Sequence, residues 1–211
     1  MKLYSYYRSS AAYRVRIALN LKLIDHQQQA VNLFTQEEEK EYYKNINPQS
    51  MVPVLEHNGV TFFQSMAILE YLEELHPENP ILPIDRSDRA TVRALSNIIA
   101  CDIHPLNNLR ILKYLSDEFK VNEEGQGNWY RHWIEQGFQA FESHLKTLSN
   151  GTVCFAENPG MADILLIPQV FNARRFDVDL SQFPIISSIE KYCLNLPAFA
   201  EAQPENQPDA I

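Results

Sequence analysis

The stretch "MVPVLEHNGVTFFQSMAILEYLEEL", residues 51–75, decides how the first half of the chain folds. Short apolar runs on either side of His57-Asn58-Gly59 read as a β-hairpin, because Asn-Gly accepts the positive φ angles of a tight turn. From Ser65 the period changes. Ile68, Tyr71, Leu72 and Leu75 fall at i, i+3, i+4 and i+7, the stripe of an amphipathic helix. Upstream, "KLYSYY" reads as a strand. Ala12, Val15, Leu19 and Leu23 then form a helical stripe, with Arg14, Arg16 and Asn20 off it. "QQAVNL" reads as a second strand and "TQEEEKEYYKN" as a polar helix capped by Thr35. The order is strand, helix, strand, helix, strand, strand, helix.

Pro77, Pro80 and Pro83 follow in "HPENPILPIDRSD", which reads as a linker over 79–86. Beyond it there is no strand pattern. Helical patterns cover 87–119, 126–149, 161–176 and 185–194. The expectation is an α/β domain over 1–78 and an all-helical domain over 87–211. A formal charge of -9 over 211 residues excludes the basic footprint of a nucleic-acid surface, though not a small positive pocket. Three widely spaced cysteines lack zinc or redox spacing, and a reduced, cytoplasmic compartment is expected. "MKLYSYYRSS" lacks the apolar core of a signal peptide. No apolar run approaches the ~20 residues that span a bilayer, so no membrane partner is expected.

Chemistry concentrates at a few points. In "YRSSAAYRVRIALNLK", residues 7–22, an acidic chain places Arg8, Arg14 and Arg16 around a helix start bearing Ser9 and Ser10. Serine there caps free N–H groups, and a helix start also binds anions; the residues alone leave both readings open. Gln64-Ser65 poses the same alternative. The Val52-Pro53 bond reads as a cis peptide or an ordinary turn. His104 and Asn108 stand at i and i+4 with Asn107 beside them, and Pro105 is expected to kink that helix. They read as a site wall or a solvated face. Arg174 and Arg175 close an apolar helix, where they either complement its dipole or grip a carboxylate with their forked donors. Asp163, near the start of that helix, reads as a structural acceptor. No paired carboxylates and no Ser-His-Asp set stand out.

"RSSAAYRVRIAL", "NPQSMVPVL", "FFQSMAILEYLEE", "MADILLIPQV" and "RRFDVDLSQFP" resemble segments of the zeta-class glutathione transferases, across nearly the whole chain. The resemblance implies a thioredoxin-like glutathione-binding domain, an all-α domain and a homodimer. It implies glutathione as cofactor and cis–trans isomerisation of maleylacetoacetate to fumarylacetoacetate in tyrosine breakdown. "CDIHPLNNLRIL" is closer to the maleylpyruvate isomerases of gentisate breakdown. A general glutathione transferase and a non-catalytic glutathione-binding module are further alternatives. By the same resemblance Ser9 donates to the sulfur, assisted by Ser10. Val52, before a cis Pro53, pairs with the cysteinyl part. Gln64 and Ser65 hold the glutamyl carboxylate, Gln49 the peptide, and Asp102 the glutamyl amine from a partner subunit. His104 and Asn108 complete the cofactor set. Arg8, His104, Arg110, Arg174 and Arg175 hold a small cis-alkene dicarboxylate, with Arg8, Asn108 and Arg175 stabilising charge during reaction. Three positions depart from the family pattern: Ala11 replaces its cysteine, Tyr13 its tryptophan, and Gly160 stands where a threonine cap is frequent.

Overall fold

Side chains of β1 (Lys2–Ser5) alternate between the two faces of a sheet. Leu3 pairs across with Leu55, and Tyr4 with Val54, so each face receives its own buried pair. The computed structural model describes residues 1–211. It divides into two units: Met1–Ile81 together with Leu194–Ile211, and Leu82–Cys193.

In the first unit α1 (Ser10–Leu21) follows β1 and leads to β2 (Gln27–Ala30), which pairs parallel to β1. A short α2 (Glu41–Lys44) precedes the hairpin of β3 (Val54–His57) and β4 (Val60–Phe63). The sheet order is β2-β1-β3-β4, with β3 antiparallel to both neighbours. Asn58 and Gly59 form the hairpin turn at φ 52° and 76°, as the Asn-Gly signal requires. α3 (Ser65–Leu75) packs on α1 and buries Ile68 and Leu72, while Leu75 at the end of its stripe is left exposed. Tyr4, Val31, Tyr43, Val52 and Val54 form a separate core cluster.

The end of α1 is fixed by a buried charge. Lys22 Nζ donates to Glu73 Oε2 (2.8 Å), His76 O (2.9 Å) and Asn79 O (2.8 Å). Glu73 Oε2 also accepts the Ile81 N–H at 2.9 Å. This cluster ties α1, α3 and the proline-rich segment together within the unit.

Two local expectations in this unit fail. The polar stretch 35–45 is not one helix: a short 3₁₀ turn (Glu37–Glu39) is separated from α2 by Lys40 in extended geometry. Thr35 is no cap. Its hydroxyl turns back to Asn32 O, and Asn32 Oδ1 takes the Phe34 and Thr35 N–H groups. The domain bounds also shift: the first unit runs to Ile81, and Leu194–Ile211, with α9 (Pro197–Ala200), belongs to it and not to the helical one.

The second unit is helical: α4 (Arg86–Asn97), α5 (Leu109–Phe119), α6 (Glu123–Leu148), α7 (Met161–Arg175) and α8 (Pro184–Cys193). The helical stretch over 87–119, expected to kink at Pro105, is broken rather than kinked. Widened π-type turns run over Ile98–Ile103, and a new helix begins only at Leu109. Pro105 lacks the N–H that would continue the ladder. The intervening segment hangs on α6 instead, through Trp129 Nε1 to Leu106 O (2.9 Å) and Asn107 Nδ2 to Tyr130 O (3.1 Å). Gly137 of α6 allows the close approach, since a Cβ there would stand 2.2 Å from Ile103 Cδ1. Glu142 of α6 accepts the Ile185 and Ile186 N–H groups at the start of α8, at 2.8 and 2.9 Å. No helix is long and apolar enough to cross a membrane.

Glu73→Ala removes one partner of a buried ion pair and leaves the Lys22 ammonium uncompensated, which should cost about 3–5 kcal/mol. Urea unfolding monitored by circular dichroism measures this, and Lys22→Met/Glu73→Leu should recover part of the loss.

Candidate active site

Ser9 is the N-cap of α1, at φ −69° and ψ 114°, and its Oγ accepts the Ala12 N–H at 3.2 Å. The capping role is therefore real. It also uses the oxygen as an acceptor and leaves the hydroxyl proton to donate elsewhere. The first turn of α1 carries no acidic side chain, so its partial positive charge is not neutralised locally. Ser10 is buried at the first helical position, Ala11 is half-buried, and Arg8 is exposed with its guanidinium 5.0 Å from the Tyr7 ring centre.

The other two arginines of this stretch lie inside. Arg14 Nη1 donates to Ser65 Oγ at 3.2 Å, joining α1 to the first residue of α3. Arg16, 1 % exposed, donates to Ser5 Oγ (3.1 Å), Tyr6 O (3.5 Å), Tyr7 O (3.0 Å) and Ala202 O (3.0 Å). Burial pushes its pKa down to about 10, which still leaves the guanidinium charged at neutral pH. The sequence reading, which set Arg14 and Arg16 off the apolar stripe, missed that both are buried scaffolding. Only the unusual density of arginine in a short apolar helix hinted at it.

The Val52-Pro53 peptide bond is cis. Two buried groups hold the loop before it: Tyr43 Oη and Asn47 Nδ2 both donate to Met51 O at 2.8 Å, and Asn47 Oδ1 takes the Gln49 N–H at 3.1 Å. The backbone N–H and C=O of Val52 make no hydrogen bond within the chain. Asn47 and Tyr43 are therefore supporting residues that motif reading did not single out. Gln64, the residue before α3, sits at φ 69°, and its Nε2 donates to Gln49 Oε1 at 2.7 Å. No side chain caps α3, and its first turn is free of acids. The structure thus joins Gln49 to Gln64, and Ser65 to Arg14, around an open helix start.

In the second unit the predicted residues are arranged differently. His104 and Asn108 do not share a helix face. His104 ends the widened turns, whereas Asn108 is extended (φ −66°, ψ 144°) and caps α5 by accepting the Arg110 N–H at 3.1 Å. Asp102 and Arg110 are exposed. Arg174 is engaged: Nε donates to Glu190 Oε1 at 2.7 Å, Nη2 pairs with Oε2, and these bonds raise its pKa. Arg175 is exposed and lies over the rings of Phe171 and Phe176, at 6.0 and 5.7 Å. Phe176 stacks on Tyr130 at 3.6 Å. Asp163 is structural, as expected, taking the Gly160 and Cys154 N–H groups at 2.9 and 2.8 Å. Burial pushes the Cys154 and Cys193 thiols well up, so neither is a nucleophile.

Residues 1–74 match the family described as Glutathione S-transferase, N-terminal domain. A probable maleylacetoacetate isomerase of Vibrio cholerae is 46 % identical over 210 residues, 99 % of this chain and 97 % of that one. The holo structure of a maleyl pyruvate isomerase, a bacterial zeta-class glutathione transferase, superimposes with a TM-score of 0.98 at 44 % identity, covering 100 % of both chains. The chain belongs to the zeta-class glutathione transferases. A maleylacetoacetate isomerase of Anaeromyxobacter dehalogenans, solved with bound glutathione, matches with a TM-score of 0.90 at 40 % identity, covering 100 % of this chain and 97 % of that one.

Glutathione is the cofactor of such a transferase, and the residues present fit it. An unengaged peptide edge at Val52, an uncapped α3 and an acid-free α1 start offer a strand partner and two anion-stabilising ends. In this zeta-class chain, Asn47→Ala should release the Gln49 N–H and leave Met51 O to Tyr43 Oη alone. Isothermal calorimetry should show glutathione affinity falling about tenfold, and thermal unfolding a loss of about 2 kcal/mol.

Proposed function

We propose that the chain is a glutathione-dependent cis–trans isomerase converting maleylacetoacetate to fumarylacetoacetate, a step of aromatic amino-acid breakdown. Glutathione, held by Ser9, Val52, Gln64 and Ser65, would supply the thiolate chemistry that isomerises the cis alkene, and it would be regenerated. The observation that carries the reading is Ser9. Its oxygen is satisfied by the Ala12 N–H, and its hydroxyl remains to donate at the head of an acid-free helix.

From that position Ser9 donates a charge-assisted hydrogen bond to the sulfur, favouring the ionised form. The start of α1 favours it further, through the Ser10 and Ala11 N–H groups. Val52 pairs by its backbone with the cysteinyl peptide. Gln64, steadied by Gln49, and Ser65, steadied by Arg14, orient the glutamyl carboxylate at the start of α3. Asp102 is the candidate for the glutamyl amine in a homodimer. Val60 and Phe63, each 54 % exposed on β4, support such an association. The free cysteines support a reducing, cytoplasmic compartment.

Arg8, Arg110 and Arg175 are the candidates for the carboxylates of the acceptor, because a guanidinium offers two parallel donors. Arg174 is the weaker one, since Glu190 already takes two of its donors. Asn108, whose oxygen caps α5, keeps its amide N–H groups for a carbonyl oxygen that gains charge. His104 stays a candidate for the acceptor. Maleylpyruvate is the second reading for the acceptor. It is supported by the "CDIHPLNNLRIL" segment and by the maleyl pyruvate isomerase structure at a TM-score of 0.98.

Each maleyl acid, followed by ultraviolet absorbance with glutathione far below stoichiometric, should be converted completely if the cofactor is regenerated. Conversion that stops at one equivalent of glutathione would mark a conjugating transferase instead. Ser9→Ala should lower kcat by about 100-fold. Arg175→Ala should raise KM for the acceptor by about tenfold with stability unchanged, while Arg174→Ala should cost about 1–3 kcal/mol of stability by orphaning Glu190 and leave KM in place.

A further inference from the structure

The loop that carries Ser9 is held from outside its own sequence neighbourhood. Both backbone groups of Tyr7, two residues before Ser9, are engaged. Its N–H donates to Asp209 Oδ2 at 3.0 Å, and its C=O accepts from Arg16 Nη2 at 3.0 Å. Arg16 in turn donates through Nε to Ala202 O at 3.0 Å. Both anchors therefore lead into the segment Leu194–Ile211, which belongs to the same unit as the loop. That segment is itself pinned. Gln207, 6 % exposed, donates to Glu201 O (2.8 Å) and Gln203 O (2.7 Å) and accepts from Gln28 Nε2 of β2 at 2.9 Å. Asn20 of α1 reaches Ala198 O at 3.0 Å. Within the loop, the Ser9 N–H closes a turn on Tyr6 O at 2.9 Å, so displacement of Tyr6 or Tyr7 carries Ser9 with it.

We infer that Asp209 is a positioning residue for the sulfur-binding serine, and that the segment 194–211 sets the register of the catalytic loop through Asp209 and Ala202. The inference rests on the reading of Ser9 as the sulfur donor. A carboxylate suits the task because a charge-assisted bond to a backbone N–H is short and directional. The neighbouring Arg16 guanidinium keeps that carboxylate in favourable company. A hydroxyl moved by a fraction of an ångström still caps α1, but it no longer points at the sulfur.

The test compares Asp209→Ala, Asp209→Asn, a chain ending at Pro208, and Ser9→Ala, all in the full isomerisation assay. Loss of the anchor should lower kcat about tenfold in Asp209→Ala and in the shortened chain, with KM for the acceptor unchanged. A less well stabilised thiolate has a higher pKa, so the acid limb of the pH–rate profile should move to higher pH. Asp209→Asn, which keeps an acceptor oxygen, should recover most of the rate. Hydrogen exchange at the Tyr7 amide should speed up in Asp209→Ala, while the melting temperature and exchange in α3 stay as in the parent. If Ser9→Ala shifts the acid limb but Asp209→Ala and the shortened chain do not, the positioning role is wrong and the Ser9 reading stands. If Ser9→Ala leaves the limb in place, both are overturned.

Discussion

A single buried guanidinium organises the first unit. Arg16 is 1 % exposed, and a buried cation is costly unless its donors are satisfied. Here they meet Ser5 Oγ, Tyr6 O, Tyr7 O and Ala202 O, with the Tyr13 ring 5.2 Å away. One side chain of α1 thereby fixes the end of β1, the loop leading to Ser9 and a segment almost two hundred residues downstream (|i−j| = 186). The planar fork is what permits this, because a lysine offers no set of divergent coplanar donors. Arg14 does a related job at lower multiplicity, linking α1 to the start of α3. The two helix starts proposed to bind glutathione are thus braced by buried cations, which adds positive potential where that reading puts the thiolate and carboxylate.

This arrangement explains what could be read from the sequence and what could not. Asn58-Gly59 announced the hairpin because turn chemistry is local. Ser9, Gln64 and Ser65 stood out because helix caps are local too. Arg14 and Arg16 were misplaced because periodicity assigns polar residues to a solvent face, and it does not foresee carbonyls arriving from distant chain to satisfy them. The same limit hid Asp209 and Gln207, whose partners lie 202 and 179 residues away in sequence. Thr35 failed as a cap because its hydroxyl turns back to Asn32 O, which also takes the Glu37 N–H.

The second unit shows a different failure. Helical patterns over 87–119 suggested a helix kinked at Pro105, yet the chain widens at Ile98–Ile103 and restarts only at Leu109. Pro105 signalled a disturbance, but its form depended on Trp129, Asn107 and Gly137, which hold the segment against α6. Asn108 changed role as a result, from a helix-face residue to a cap that still presents amide donors. Arg174 and Arg175, adjacent in sequence, separated by partner: the carboxylate of Glu190 occupies the first, and only aromatic faces lie under the second.

Zeta-class membership and the local geometry converge on one chemical requirement, a sulfur kept ionised without a strong base. With Ala11 in place of the family cysteine, the proposed mechanism assigns that requirement to Ser9 and the helix start. The most direct measurement is a spectroscopic pH titration of the glutathione thiol in the binary complex with this chain. The account predicts a pKa well below the roughly 8.5 of an unperturbed thiol. A bound thiol that titrates together with free glutathione would contradict it.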